Sequence, residues 1–125
     1  MIKLGGPKRI NTAVFISGAG SNLKNLIKFS FKKNSKFNIN LIISNNSKAK
    51  GLGYAKKFKL KKKVIRHKDN KIAENQILLL LKKEKIKLIC LAGFMQILSH
   101  NFIKKFSGKI INIHPSLLPK YKGLN

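Results

Sequence analysis

The chain has 125 residues, 43% of them apolar, enough for one domain that removes roughly two thirds of its unfolded surface from water. Its 28 Lys and Arg against 3 Asp and Glu give a formal charge of +25, and its single cysteine, Cys90, excludes an internal disulfide. The densest apolar run, "ILLLL" at 77–81, is far too short to cross a bilayer, and the basic start "MIKLGGPKRI" leads into no signal-peptide core.

These features describe a soluble protein of a reducing compartment, read as cytoplasmic and without a membrane partner. The charge attracts polyanions in low salt. The cations are nevertheless scattered as "KK" and "KKK" on expected helix faces and turns, with no aromatic platform among them. A solvated Lys-rich surface, not a specific nucleic-acid site, is the reading that follows. No repeat or low-complexity linker divides the chain, so residues 1–125 read as a single domain. About the first dozen form a basic N-terminal extension.

The elements alternate. "AVFIS" (13–17) is a short continuous apolar run, as in a strand buried on both faces. "GAGSN" turns the chain into a helix with Leu23, Leu26, Ile27 and Phe31 on one face. "INLIIS" (39–44) is a second strand, and "AKGLGYAKKF" a helix weakened by Gly51 and Gly53. "KVIR" (63–66) is a third strand. A helix over about 70–84 follows, with Ala73, Ile77, Leu80 and Leu81 facing inward. "KLICLAGF" (87–94) is a fourth strand, in which Cys90 reads as a buried structural thiol. "SHNFIKKF" is a short helix capped by Ser99, and "KIINIH" (109–114) a fifth strand. Such alternation implies right-handed βαβ units and an α/β, three-layer, Rossmann-like, mostly parallel sheet.

Ligands of open α/β sheets bind outside the carboxyl ends of strands. That rule selects "SGAGSN", "AGFMQIL" and "NIHPSLLP". In the first, Gly18 and Gly20 permit positive φ, and Ser21 and Asn22 open a helix whose free N–H groups suit a phosphate. The third glycine of a dinucleotide fingerprint is missing, since Leu23 stands there, so a single phosphate fits better than a dinucleotide. The alternative is a plain tight turn with a Ser/Asn cap. In the second, Phe94, Met95, Ile97 and Leu98 form an apolar cluster that either packs in the core or lines a slot for a flat heteroaromatic ring. In the third, period-2 alternation sends Asn112 and His114 to one side. Together they either support acyl transfer to an amine, with Asn112 holding an oxyanion and His114 handling a proton, or simply end a strand before Pro115. His67 and His100 lie in polar surroundings and read as exposed. No Cys/His spacing suggests a metal.

Taken together, "VFISGAGSNLKNLI", "IISNNSKAKGLGYAKKF" and "LICLAGFMQILSHNFIKKFSGKIINIHPSLLPKYKGLN" resemble the phosphoribosylglycinamide formyltransferases, folate-dependent enzymes of de novo purine (IMP) synthesis. The resemblance runs from about residue 13 to the last residue. It implies the formyltransferase fold and transfer of a formyl group from the cosubstrate 10-formyltetrahydrofolate to the amine of glycinamide ribonucleotide, without a metal or a covalent enzyme species. It further implies that Gly20, Ser21 and Asn22 bind the substrate phosphate and that Met95, Gln96, Ile97 and Leu98 contact the folate. Asn112 and His114 become the catalytic pair.

Two departures qualify the match. The family often has Arg at the position of Gln96 and another Arg near position 70, where Lys68 or Lys71 would substitute without bidentate geometry. Its pattern also continues past "PKYKGL" with a catalytic Asp that none of Asp69, Glu74 or Glu84 matches, so the C-terminal part of the fold is expected to be absent. Little turnover by these residues alone, and self-association through uncovered apolar surface, are the corresponding expectations. The alternatives are an inactive truncated remnant or a related formyl-handling enzyme. Formyltetrahydrofolate deformylase usually reads "HHS" where this chain has "HPS", and methionyl-tRNA formyltransferase lacks the "GSNL" turn.

Overall fold

The structure, a computed structural model, describes residues 8–113. The elements in order are β1 (Ile10–Ile16), α1 (Ser21–Ser30), β2 (Phe37–Ser44), α2 (Leu52–Lys57), β3 (Lys62–Val64), α3 (Asn70–Lys83), β4 (Leu88–Leu91), α4 (His100–Lys105) and β5 (Lys109–Asn112). The five strands form one sheet in the order β3-β2-β1-β4-β5, and every pairing is parallel.

Strand alternation sorts the core into two halves. Ala13, Phe15, Leu41, Ile43 and Ile89 face one side, where they pack on Ala73, Ile77 and Leu81 of α3 and Phe102 of α4. Val14, Ile16, Ile42 and Cys90 face the other, against Leu23, Leu26 and Ile27 of α1 and Leu52 and Ala55 of α2. The sheet is thus the middle of three layers.

Ile39 breaks simple alternation: it packs with the α1/α2 side although Leu41 and Ile43 pack on the α3/α4 side. The cause is a register shift. Thr12 pairs with Ile39 but Ala13 with Leu41, which leaves Asn40 as an extra residue in β2. The Asn40 side chain repairs the gap, its Oδ1 accepting from the Thr12 N–H at 3.0 Å.

Several boundaries differ from the sequence expectation. β1 starts at Ile10, and Thr12 is fully buried. Residues 10–12 therefore belong to the sheet and not to a basic extension. Arg9 is also tied down, its guanidinium donating to the carbonyls of Ser30, Lys32 and Lys33 and to Asn38 Oδ1. Phe31, expected on the inward face of α1, is the helix C-cap, exposed, with its ring edge against Phe58. Gly51 does not weaken a helix interior but sits at the N-cap of α2. On α3 the buried set includes an acid, Glu74, beside Ala73, Ile77 and Leu81. Among the described residues no helix is long and apolar enough to cross a membrane.

Candidate active site

The strand order reverses between β1 and β4, whose crossovers lie on opposite faces of the sheet. This is a topological switch point, the place outside the carboxyl ends of the strands where open α/β sheets generally form a ligand crevice. "SGAGSN" leaves β1 there and "AGFMQIL" leaves β4, while β5 delivers Asn112 one strand further along.

Ile16 ends β1, and the turn that follows has Gly20 as its pivot. Gly20 is left-handed at φ +80 and serves as the N-cap of α1 with no side-chain cap bond. The N-cap is thus Gly20 and not Ser21 or Asn22, and Gly18 does not use the positive φ open to it. Gly20 is needed for a second reason: a Cβ there would lie 2.5 Å from Gly51 Cα. The turn and the start of α2 approach backbone to backbone, joined by Gly51 N–H donating to Gly18 O at 3.0 Å. Ser21 and Asn22 form the first turn of α1, which contains no acidic residue to offset its positive dipole end.

Gly93, left-handed at φ +74, ends the run of β4. The expected apolar cluster then divides. Phe94 and Leu98 turn inward onto the α3/α4 core, Phe94 meeting the Phe15 ring edge-on at 5.3 Å. Met95 and Ile97 turn outward and are 82% and 90% exposed. Gln96 between them does the opposite, its Nε2 buried without a hydrogen-bond partner among the described residues. Apolar side chains outside and an amide inside is an arrangement that burial alone would reverse.

Asn112 closes β5, exposed and paired in register with Leu91 of β4. Alternation gives it the face of Ile110, which packs on the α3/α4 side as Phe94 and Leu98 do. His114, the other half of the expected pair, lies outside the described residues, so its placement relative to Asn112 is not described. His67 and His100 are both exposed, and the His67 ring is used locally, accepting from the Asp69 N–H at 3.0 Å. Lys68 and Lys71 are exposed at the start of α3. Among the described residues no group of three His, Cys, Asp or Glu side chains gathers that could hold a metal ion.

Sequence reasoning passed over the exit of β2. Asn45 and Asn46 follow that strand and bind the β1 exit: Ser17 Oγ donates to Asn45 Oδ1 at 2.7 Å, and Asn46 Nδ2 donates to Ser17 O at 3.3 Å. The Ser17 hydroxyl also accepts from the Met95 N–H at 2.8 Å, and Asn45 Nδ2 reaches Gln96 Oε1 at 3.5 Å. The strand-end rule, applied to the second strand as to the others, would have flagged "SNNSKAKG". A second unforeseen anchor holds the far end of the β4 loop, where the Ser99 N–H and hydroxyl both donate to the Glu74 carboxylate.

A cavity of about 860 Å³ lies elsewhere. Its walls come from α3, from the residues leading into β4 and from Lys105 to Ser107 ahead of β5, the amino ends of those strands. Its polar groups are lysines, Asn75 and Ser107, with no acid, histidine or activated nucleophile. The chemistry-bearing residues converge at the opposite end, so the crevice and not the cavity is the candidate site.

Among the described residues the fold is an open, all-parallel α/β sheet with its candidate site at the switch point. A family model described as formyl transferase matches residues 10–125, and the chain belongs to that family. It is 45% identical over 121 residues to the human trifunctional purine biosynthetic protein adenosine-3, covering 94% of this chain and 12% of that protein. It is 42% identical over 116 residues to the phosphoribosylglycinamide formyltransferase of Haemophilus influenzae, covering 90% of this chain and 55% of the other. The crystal structure of phosphoribosylglycinamide formyltransferase from Brucella melitensis superposes with a TM-score of 0.82 at 38% identity, over 94% of this chain and 62% of that one. The chain therefore spans only part of the length of each.

Proposed function

We propose that this chain carries the switch-point site of a phosphoribosylglycinamide formyltransferase, taking a formyl group from 10-formyltetrahydrofolate to the amine of glycinamide ribonucleotide. The observation that carries the reading is the meeting of the β1 and β4 exits across Ser17 beside the end of β5. Support comes from the names of the relatives, several of which are phosphoribosylglycinamide formyltransferases.

The roles follow from what each segment offers. Gly20, Ser21 and Asn22 present the uncompensated N-terminus of α1 to the substrate phosphate. Met95 and Ile97, left in solvent, supply apolar area that a flat pteridine-type ring would cover, and Gln96 and Leu98 complete that wall. Asn112 donates its side-chain amide to the oxygen that becomes anionic as the amine attacks the formyl carbon. His114 takes the proton released by the amine and returns it to the folate nitrogen as the old C–N bond breaks. One C–N bond forms, one breaks, and the proton moves between the two nitrogens.

Two measurements test this reading: calorimetric binding of each ligand to the protein, and formyl transfer by Asn112→Ala and His114→Ala. Losing an oxyanion donor is expected to slow transfer on the order of 10²–10³-fold with binding retained, and His114→Ala to slow it on the order of 10²–10⁴-fold. Failure to bind either ligand, or full activity in both variants, would overturn the assignment.

A further inference from the structure

The Ser17 hydroxyl is bonded at once to two of the segments that meet in the crevice. It donates to Asn45 Oδ1 at 2.7 Å and accepts from the Met95 N–H at 2.8 Å. Ser17 itself immediately precedes the Gly18–Gly20 turn, and it is 9% exposed, so water does not compete freely for these bonds. Asn45 extends the chain to Gln96 Oε1, Asn46 clasps Ser17 O, and Gly51 N–H holds Gly18 O. The exits of β1, β2 and β4 are thereby held together without any of these groups belonging to the proposed phosphate or catalytic residues.

We infer that Ser17 and Asn45 are positioning residues that set the spacing between the phosphate turn and the folate wall. The inference rests on the ligand assignment above and deepens it. Two ligands that react must be held side by side, with reacting atoms about 3–3.5 Å apart. One is anchored through the β1 turn and the other through the β4 loop. The Ser17 hydroxyl is the direct tie between these two segments, and Asn45 fixes the direction in which that hydroxyl donates. Its loss lets turn and wall shift relative to each other while leaving each surface intact. The consequence falls on the ternary complex and not on either binary one.

The pattern separates a positioning role from a structural one. Ser17→Ala, Ser17→Thr and Asn45→Ala are titrated as the intact chain with glycinamide ribonucleotide and tetrahydrofolate, which has no formyl group to transfer, singly and together, with thermal unfolding followed in parallel. Each ligand alone should bind Ser17→Ala within about threefold of wild type, while the second ligand to arrive binds on the order of tenfold more weakly than in wild type. Ser17→Thr, which keeps the hydroxyl, restores the ternary affinity. If Ser17→Ala does not fold, Asn45→Ala carries the same expectation, because it removes the acceptor that directs the Ser17 hydroxyl and the bond to Gln96 Oε1. Unchanged ternary affinity in the folded variants, or equal weakening of binary and ternary binding, overturns the positioning role alone. A wild-type chain that binds neither ligand overturns the functional reading and this inference with it.

Discussion

Cys90 lies in the apolar run of β4, where the sequence alone predicts a buried thiol. It sits mid-strand in β4, 2% exposed, between the sheet and the α1/α2 layer. Desolvation pushes its thiol up from 9.0 to about 11, because the thiolate would lose its hydration in that apolar setting. The neutral thiol is the form present in both folded and unfolded chains below pH 9, so the full contribution is retained there. Above pH 9 the unfolded chain ionises first, and stability is lost as pH rises towards the folded value. Two pH units correspond to roughly 3 kcal/mol. Lysines titrate in the same range, so the test is a difference: wild type should lose stability relative to Cys90→Ala between pH 9 and pH 11 in urea unfolding. Parallel curves would show that the thiol is not desolvated.

At the scale of elements, the β4-to-α4 connection is held at both ends by side chains. Ser17 takes the near end through Met95. Ser99 takes the far end by capping α4, its Oγ accepting from the Phe102 N–H at 3.0 Å, while its own N–H and hydroxyl go to Glu74. A buried carboxylate needs such donors, since an unpaired one is expensive. Ser99→Ala should therefore cost more than an ordinary cap, which is worth about 1 kcal/mol. Losing a hydrogen bond to a charged group adds about 1.5–3 kcal/mol. A total of about 2.5–4 kcal/mol is expected in equilibrium unfolding, with Ser99→Thr recovering most of it. A loss below 1 kcal/mol would mean that Glu74 finds another partner. The Ser99 cap was legible because Ser before a helical pattern is a local signal. Glu74 was not, because an acid on an otherwise apolar helix face looks solvated until its neighbour is known.

Across the whole molecule, charge and uncovered apolar surface oppose each other. Formally +25, the chain repels its own copies. Among the described residues, however, β5 is an edge strand with β4 as its sheet neighbour, and Ile111 on it is exposed. The other edge, β3, has Lys62 and Lys63 in its three residues, which blunt edge pairing. Self-association should therefore run through the β5 side and rise with salt, as screening shortens from about 10 Å at 0.1 M to 3 Å at 1 M. Sedimentation velocity at micromolar concentration in low and high salt checks this. A monodisperse monomer at both ionic strengths would count against it.

The sequence by itself determined the three-layer arrangement, the run of strands and helices and the family. The first two rest on the spacing of apolar residues along short stretches, which neighbours in sequence settle among themselves, and the family on the resemblance of the longer stretches around the strand ends. It also pointed to three of the strand ends, because strand polarity decides where loops gather. Only the tertiary structure decided which groups meet there. Ser17 and Asn45 are 28 positions apart, and Ser17 and Met95 are 78 apart. No local pattern encodes such pairs: they follow from β2 and β4 flanking β1, and from a polar side chain needing a partner once the sheet has excluded water. The same reason explains the division of "FMQI", whose alternate outward and inward turns are imposed by Gly93 and by the Ser17 bond to Met95, against the hydropathy of the side chains themselves.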